Sequence, residues 1–534
     1  MNDRLMFSRG GGAPGIAAPG GGTDPGVGTG PGGGTGPGGG TDPGVGTDPG
    51  GGTDPGAGTG PGGGTDPGGG TDPGGAQTGA AARSRAPVLV LGAGPAGLTV
   101  ANLLASLGER VTLLEARTEP DERVRAIGVT PPTLDILDRI ACSGRDGGAG
   151  AALDSPGAGV GGGHISRGGG GGAAAEHGSR GDGGGVGAAL DARGVHVRTA
   201  RVFGNGREVG SLRFAGIHER YPHILAVPQF HTESLLRAAA EASQGVEIVY
   251  GFEAVSCFYP DGDTGRASAS VAVESRDGRR REGAFLCVCT GKTKPATPLG
   301  SEYRMKKRYR VRFLIGDYPD TTSFGSEAHL YFSAHGSVES FPLPDGIRRW
   351  IVQLPPGIRS AELDAQRSGR ILAEWVYKRA GIRLPEQAPL WWSVFQPERS
   401  EADAFSGHRI MLIGDAAHTM SPIGGQGMNT GIADAELAAD LISRFLSGKD
   451  RMRDVDRTYA RVRRRAARIA ADRAALSMRT GIRSGKVVGS VRDVVLRALL
   501  WLFPDRVLAS HFAMLTIPGG RSPYRRTLGD TPHG

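Results

Sequence analysis

The sequence predicts an α/β fold made of two sheets and a set of C-terminal helices, on three observations. A short apolar run, Val88–Leu91, leads directly into a glycine-rich turn, Gly92–Gly97. Four strand-like runs separated by turn residues lie between residues 310 and 354. An alanine- and arginine-rich run with a helical pattern occupies residues 451–483. Together these observations predict a three-layer, Rossmann-like domain with an inserted, mostly antiparallel sheet, followed by helices.

The start of this domain reads as strand, turn, helix and second strand. Gly92, Gly94 and Gly97 have the spacing of a dinucleotide-binding turn. The first glycine allows a sharp turn, the second lets backbone approach a pyrophosphate, and the third lets the helix pack closely on the strand. The second strand, Val111–Leu114, ends at Glu115, whose carboxylate can accept hydrogen bonds from ribose hydroxyls. The predicted cofactor contacts here are Gly92, Gly94, Ala96, Gly97 and Glu115.

Two glycine-rich segments are not expected to fold. The chain has 93 glycines among 534 residues, and many lie in the repeats of residues 1–85 or in residues 144–187. Neither segment has enough apolar side chains to bury, so we predict a disordered tail and a disordered insertion in a surface loop. Roughly 400 residues remain, which is enough for one large domain or two joined domains.

Charge and cysteine content exclude several classes of function. The formal net charge is +8, but much of the basic excess lies in the helical run 451–483, so no nucleic-acid partner is predicted. Cys287 and Cys289 alternate within a strand-like run without metal-binding spacing, so no metal site is predicted and reduced thiols are expected. We recognise neither a secretory signal nor an apolar run long enough to span a membrane, and expect a cytoplasmic protein.

A second glycine-rich motif lies late in the chain. The apolar strand Ile410–Ile413 runs into Gly414 and Asp415, and the Asp415 carboxylate can accept a hydrogen bond from a cofactor hydroxyl. Three further glycines then open a helix that is expected to start near Met428. The N-terminus of that helix can stabilise negative charge on an electron-rich ring. The predicted catalytic positions are Pro422, Gly424 and Gly425, and the predicted cofactor contacts are Asp415, Gly427, Met428 and Asn429.

These motifs divide the chain into predicted domains. A cofactor domain comprises residues 86–300 and 400–445, and a substrate-binding sheet domain comprises residues 301–399 with part of 195–222. The remaining residues, 446–534, form a predicted C-terminal helical region.

From residue 86 to residue 445 the chain resembles the para-hydroxybenzoate hydroxylase-like family of class A flavoprotein monooxygenases. In that family the first glycine motif holds the ADP part of FAD, and the second holds the ribityl chain and the isoalloxazine ring. The resemblance adds Arg125 and Gln229 as flavin contacts. One departure stands out, because the family usually has an Asp-Gly pair where this chain has Thr290-Gly291.

The resemblance implies a monooxygenase that uses FAD, O2 and either NADPH or NADH. It would hydroxylate or epoxidise an aromatic or polyketide-like small molecule through a flavin C4a-hydroperoxide, in secondary metabolism. Two alternatives stay open: a flavin-dependent reductase or dehydrogenase of a lipid-like substrate, and a flavin-binding protein without catalysis.

The apolar stretch Val494–Phe503 near the C-terminus also has two interpretations. It is too short to span a bilayer, but its composition resembles that of interfacial helices. It either packs on the cofactor domain or makes peripheral contact with a membrane or an apolar partner.

Overall fold

A computed structural model of the protein describes residues 86–119, 126–142, 184–262, 268–300, 303–422, 424–482 and 486–517. The predicted tail 1–85 and residues 144–183 of the predicted insertion lie outside the described residues. The last residues assigned to that insertion, 184–187, are described, and Val186 begins a helix. The insertion therefore ends earlier than predicted, because Val186 and Leu190 are fully buried and hold this helix on the core.

The described residues form a mixed α/β fold, as predicted. The α-helices are, in chain order, α1 (Pro95–Ser106), α2 (Pro131–Leu137), α3 (Val186–Asp191), α4 (Gln229–Ala242), α5 (Ala365–Ala380), α6 (Gln426–Leu446), α7 (Met452–Ile482), α8 (Lys486–Leu502) and α9 (Asp505–Phe512). Two short 3₁₀-helices occupy Ser360–Glu362 and Gly414–Ala416. None of the described helices has the length and apolar character needed to cross a bilayer.

One six-stranded sheet, here called the parallel sheet, is parallel apart from one edge strand. Its strands, in spatial order, are Ser406–Gly407, Ile410–Leu412, Phe285–Val288, Val88–Leu91, Val111–Leu114 and Val246–Val249. Every residue of the three central strands is buried, which explains their unbroken apolar sequences. Helix α1 packs against α4 and α6, so helices and sheet form layers around this core.

A second sheet has seven strands and is called the antiparallel sheet. In spatial order its strands are Trp391–Phe395, Phe313–Pro319, Ile347–Gln353, Gly336–Leu343, Ala328–Ser333, Thr199–Gly204 and Arg207–Arg213. Only the pairing of Ala328–Ser333 with Thr199–Gly204 is parallel. All four runs predicted as strands between residues 310 and 354 contribute a strand to this sheet.

The two faces of the antiparallel sheet differ. Helix α5 covers one face, where its apolar side chains pack on Leu314, Val338, Trp350 and Val352. Because side chains alternate along a strand, the residues between these positions lie on the opposite face. The strand Gly336–Leu343, at the middle of the sheet, contacts α7 and the short strands Val195–Val197 and Ile224–Ala226. This second face is therefore turned toward the rest of the molecule.

Three small sheets complete the described strands. One contains Ala254–Phe258, Val271–Ser275 and Arg280–Gly283, and another contains Gly128–Val129, Val195–Val197 and Ile224–Ala226. The third pairs Tyr303–Arg308 with Glu398–Ala402 and His418–Thr419. The third sheet lies next to the second glycine motif, because its strand His418–Thr419 is part of that motif, between Asp415 and Gly424.

Candidate active site

The first glycine turn lies at the carboxyl end of the strand Val88–Leu91. Gly92 has a φ of +96°, and a Cβ added there would lie 2.7 Å from the Cys289 carbonyl oxygen. A Cβ added at Gly97 would overlap the Gly92 carbonyl oxygen, because α1 packs so closely on the turn that no side chain fits there. A Cβ added at Gly94 would meet no atom within 4 Å. The middle glycine thus presents bare backbone to open space, at the N-terminus of α1.

Glu115 closes this turn from the neighbouring strand. Its carboxylate accepts a hydrogen bond from the Ala93 N–H at 2.6 Å and from the Arg117 Nε at 2.8 Å. Burial raises the pKa of the Glu115 carboxyl, but the hydrogen bonds from Arg117 and Ala93 outweigh that effect and hold the pKa below its ordinary value. Glu115 is therefore a carboxylate at neutral pH, placed beside the first glycine turn.

The structure brings the second glycine motif directly against the first. A Cβ added at Gly414 would lie 3.6 Å from the Ala96 Cβ and 3.6 Å from the Gly431 Cα. Ala96 belongs to α1 and Gly431 to α6, and the two helices pack on each other here. The two predicted motifs, far apart in sequence, therefore pack against each other at the carboxyl edge of the parallel sheet.

A buried ion network, which the sequence did not reveal, anchors the second motif. Asp434 of α6 is fully buried and accepts hydrogen bonds from the Gly414 N–H at 2.9 Å and from His418 Nε2 at 2.7 Å. It also pairs with the guanidinium of Arg463 from α7, itself buried. Burial raises the pKa of Asp434, but Arg463 and His418 outweigh it, so the pKa lies below its ordinary value. Because α6 also contains Glu436 and Asp440, no sequence signal singled out Asp434.

The loop before α6 forms a tight turn that leads into the helix N-terminus. The Gly425 N–H donates to the Pro422 carbonyl at 2.9 Å, and both Gly424 and Gly425 have positive φ. The helix begins at Gln426, two residues before the predicted start. Pro422 and Gly424 are exposed, and a Cβ added at Gly427 would meet no atom within 4 Å. This N-terminus is therefore open to a ligand on the side of the glycines.

The side chain of Asn429 braces this turn. Its Oδ1 accepts from the Thr130 N–H at 3.0 Å, and its Nδ2 donates to the carbonyls of Gly128 and Gly425 at 2.9 and 2.6 Å. These bonds tie the turn to the short strand Gly128–Val129. Met428 is half-buried and packs against the main core. Of these two predicted contacts, Asn429 holds the loop through its side chain.

Gln229 is the first residue of α4. Its Oε1 accepts from the Ala126 N–H at 3.2 Å, and its Nε2 donates to Glu233 at 2.7 Å. The side chain thereby fixes the chain just after residue 125. The other predicted contact of this group, Arg125, lies outside the described residues.

Several buried polar atoms near these motifs have no hydrogen-bond partner. They are Thr290 Oγ1, Lys294 Nζ, Tyr303 Oη, His418 Nδ1 and Gln426 Oε1. Lys294 Nζ lies 4.0 Å from the centroid of the Tyr303 ring, and burial lowers the pKa of this lysine although Asp403 partly opposes that. Burial and then the nearby Asp415 raise the pKa of Tyr303. Buried polar groups without partners are uncommon, and Lys294 and Tyr303 are two of them that lie side by side.

Asp415 follows the strand Ile410–Leu412 in the 3₁₀-helix Gly414–Ala416, next to the buried Ala416. It is half-buried, and its effect on the pKa of Tyr303 places its charge near that ring. The predicted cofactor carboxylate therefore lies at the junction of the two glycine motifs.

The face of the antiparallel sheet opposite α5 carries two buried carboxyl groups. Asp317 forms a two-bond ion pair with Arg349, at 2.7 Å for each bond, and Arg349 lies over the Trp391 ring. A cavity of about 160 Å³ is lined by Asp317 and Trp391 together with Phe230 and His231 from the start of α4. Glu339 is 8% exposed, and burial raises its pKa to about 7.

Comparison with known proteins decides the family. Residues 85–474 match the family described as "FAD binding domain", which is well over half of the chain. The chain belongs to this FAD-binding family. The match begins just before the first glycine turn and ends within α7, so it includes both glycine motifs and the antiparallel sheet.

Two curated relatives of the chain are named as monooxygenases. The chain is 28% identical over 387 residues to a 6-methylpretetramide 4-monooxygenase of Streptomyces rimosus, covering 70% of this chain and 58% of that one. It is 27% identical over 359 residues to a rifampicin monooxygenase of Streptomyces venezuelae, covering 65% and 62%. The chain thus spans about three-fifths of the length of these curated relatives.

Solved structures share the fold. A p-nitrophenol 4-monooxygenase from Pseudomonas putida superposes with a TM-score of 0.63 at 18% identity, covering 80% of this chain and 97% of that one. An anhydrotetracycline hydroxylase from Streptomyces rimosus gives a TM-score of 0.58 at 22% identity, covering 81% and 76%.

The residues present fit the FAD that the family binds. The open backbone at Gly94 suits a pyrophosphate at a helix N-terminus, and Glu115 suits ribose hydroxyls. The unpartnered Lys294 Nζ and Tyr303 Oη provide hydrogen-bond donors near Asp415 that are not used within the protein.

Proposed function

We propose that this FAD-binding protein is a monooxygenase that takes electrons from NADPH or NADH and inserts one oxygen atom of O2 into an aromatic or polyketide-like molecule. The observation that supports this most directly is the junction of the two glycine motifs at Ala96, Gly414 and Gly431. The names of the relatives, a pretetramide and a rifampicin monooxygenase, support the reaction type and the substrate class.

In this proposal the first motif holds the ADP part of FAD. The backbone at Gly92, Gly94 and Gly97 and the N-terminus of α1 receive the pyrophosphate, with Ala96 between this turn and the second motif. Glu115 accepts the ribose hydroxyls.

The second motif holds the flavin part. The Asp415 carboxylate accepts a hydrogen bond from a ribityl hydroxyl. Pro422, Gly424 and Gly425 form the loop beside the isoalloxazine ring. The N–H groups of the first turn of α6, at Gly427, Met428 and Asn429, stabilise negative charge on the ring. Gln229, the first residue of α4, and Arg125 are the two further flavin contacts in this proposal. When bound, FAD supplies the electron transfer and the reaction with O2.

In this proposal the antiparallel sheet forms the substrate-binding wall of the active site, in agreement with the predicted substrate-binding sheet domain. Its face opposite α5 carries the cavity bounded by Asp317, Trp391 and Phe230. Aromatic and apolar walls with few polar groups are typical of small-molecule sites. Enclosure of this space between the sheet and α4 would keep water away from the reacting atoms.

One assay tests this proposal against the alternatives of a reductase and a non-catalytic flavin protein. NADPH or NADH oxidation is measured with a panel of phenols and polyketides, under air and under nitrogen, and products are examined by mass spectrometry. We expect substrate-dependent oxidation and products with one added oxygen atom, only under air. Product formation under nitrogen would favour the reductase, and no turnover with bound FAD would favour the binding protein.

Two glycine variants test the cofactor assignment. A methyl at Gly94 fills only open space, so Gly94→Ala should fold normally but bind FAD at least tenfold more weakly, a loss of about 1.4 kcal/mol. Gly97→Ala would push its methyl into the Gly92 carbonyl and should lower the melting temperature as well. Normal FAD affinity in Gly94→Ala would show that the pyrophosphate does not bind at this turn.

We also propose peripheral contact of α8 with a membrane or an apolar partner, which the exposed side chains of α8 support. Val494 is 69% exposed and Trp501 is 82% exposed, whereas Leu500 on the other side of the helix reaches Gly210 of the antiparallel sheet. Flotation with anionic liposomes, for the intact chain and for Trp501→Ser, tests this contact. We expect the intact chain to float and the variant to float less, and the absence of flotation would contradict the proposal.

A further inference from the structure

Three potential metal ligands, none of them a predicted cofactor contact, lie close together. Asp191 ends α3, His196 is the middle residue of the strand Val195–Val197, and His223 directly precedes the strand Ile224–Ala226. One ligand atom from each side chain lies within 4.8 Å of the other two. No sequence spacing indicated this group, because Asp191 and His223 are separated by 32 positions.

The backbone fixes the two histidines in place. Val197 pairs with Ile224 and His196 with Leu225 in an antiparallel ladder. His196 and His223 are therefore diagonal neighbours on one face of these strands, since side chains alternate along each strand. Their rings stack, with centroids 3.9 Å apart and planes inclined by 19°. The pair is formed by secondary structure and does not depend on a flexible loop.

Both imidazoles place Nε2 beside one carboxylate oxygen. His223 Nε2 lies 2.7 Å from Asp191 Oδ1. His196 Nε2 lies 3.2 Å from the same atom and also 3.2 Å from the Asp191 carbonyl oxygen, with which it forms a hydrogen bond that an ion would replace. Tetrahedral zinc with bonds of about 2.0–2.1 Å separates neighbouring ligand atoms by about 3.3 Å. One distance already matches that value, and the other requires a shift of about half an ångström.

The surroundings suit a bound ion with one open side. The His223 side chain is 3% exposed, Asp191 is 21% exposed and His196 is 36% exposed. The buried side fixes the geometry, and the exposed side leaves room for water as a further ligand. In the free protein His223 Nε2 donates to the Asp191 carboxylate, and His223 Nδ1, which has no hydrogen-bond partner, can take up the proton when an ion binds Nε2. Because no group accepts a hydrogen bond from His223 Nδ1, the affinity for the ion should be moderate.

We propose that Asp191, His196 and His223 form a binding site for a divalent transition-metal ion, of which Zn²⁺ is the probe. Two neutral imidazoles and one carboxylate are a donor set that zinc accepts with an open position, whereas Mg²⁺ prefers oxygen ligands alone. The ion would tie the end of α3 to the two strands. This site is independent of the proposed monooxygenase activity.

The test is isothermal titration of the full chain, without an affinity tag, with Zn²⁺ and separately with Mg²⁺. We expect one Zn²⁺ per chain, a rise in melting temperature on binding, and no response to Mg²⁺. His196→Ala and Asp191→Asn should each weaken Zn²⁺ binding at least tenfold. His196 is the most exposed of the three side chains, so its removal should leave the apo melting temperature nearly unchanged.

His218→Ala is the matched control. His218 also pairs with a single carboxylate, Asp135, at 2.9 Å, but the pair lies outside the three-residue cluster. This variant should keep the parent's Zn²⁺ affinity. The proposal is overturned if the parent binds no Zn²⁺, if His196→Ala and Asp191→Asn bind it as well as the parent, or if His218→Ala loses it equally.

Discussion

Asp434 and Glu339 are both buried acids, one in α6 beside the second glycine motif and one in the middle of the antiparallel sheet. Asp434 is fully buried, and Glu339 is 8% exposed. Their pKa values nevertheless move in opposite directions, because Arg463 and His418 lower that of Asp434 whereas burial alone acts on Glu339 and raises it to about 7. Partners, more than depth, decide the charge of a buried carboxyl group here.

The difference separates two uses of a buried acid. Asp434 accepts a hydrogen bond from the Gly414 N–H, so its charge maintains the shape of the second glycine motif. Glu115 does the same for the first loop through the Ala93 N–H. Glu339 holds no such group in the antiparallel sheet, and it lies on the face that we assign to the substrate. Four substitutions test this distinction, from the largest expected effect to the smallest.

Asp434→Asn should have the largest effect. Removing one charge from a buried ion network leaves Arg463 uncompensated, which costs about 3–5 kcal/mol. Urea denaturation should show this loss in the free energy of unfolding. Asp440→Asn, in the same helix, breaks a partly exposed pair with Arg139 and should cost less than about 1 kcal/mol. Equal losses in the two variants would contradict the role given to Asp434.

Glu339→Gln should change how stability depends on pH. The folded-state pKa of Glu339 lies above that of an unfolded chain, so its contribution is complete below about pH 4 and is lost as pH rises through about 7. At pH 8 the parent should carry a cost of up to about 3 kcal/mol that the variant lacks.

The measurement is the free energy of unfolding at pH 5 and pH 8. The difference between Glu339→Gln and the parent should shift in favour of the variant at the higher pH. Glu386→Gln, at an exposed position, should show no such shift. The same difference at both pH values would mean that Glu339 is already ionised at pH 5.

Asp415→Asn tests a third acid, which we assign to the cofactor rather than to the fold. Hydrogen bonds to charged groups contribute about 1.5–3 kcal/mol, so FAD should bind about tenfold to a hundredfold more weakly. The apo protein should unfold at the parent's temperature. If FAD affinity is unchanged and the melting temperature falls, Asp415 caps the turn and does not hold the flavin.

Lys292→Met should have the smallest effect. Lys292 pairs with Glu398 at 2.5 Å, but its side chain is 59% exposed. Solvent screens such pairs, so the loss of stability should be below about 1 kcal/mol in thermal or urea unfolding. A loss comparable to that of Asp434→Asn would remove the distinction between buried and exposed pairs on which the comparison rests.

The sequence predicted the local elements well because their patterns are local. The turn Gly92–Gly97, the strand before it and the helix after it follow from three glycines and an unbroken apolar run. The mixed α/β fold and the four strands between residues 310 and 354 follow from periodicity in the same way. The prediction was wrong where packing decides, as at Val186, where burial starts α3 inside a glycine-rich stretch.

The tertiary structure alone decided which distant residues meet. Three contacts join separate elements. Asp434 pairs with His418 and Arg463, and Ala96 lies against Gly414. Asp191 lies close to His196 and His223. A sequence pattern reports which side chains share one helix face or one strand. It does not report how far a neighbouring element stands from them, and that distance fixes both the charge of a buried acid and the presence of a ligand set.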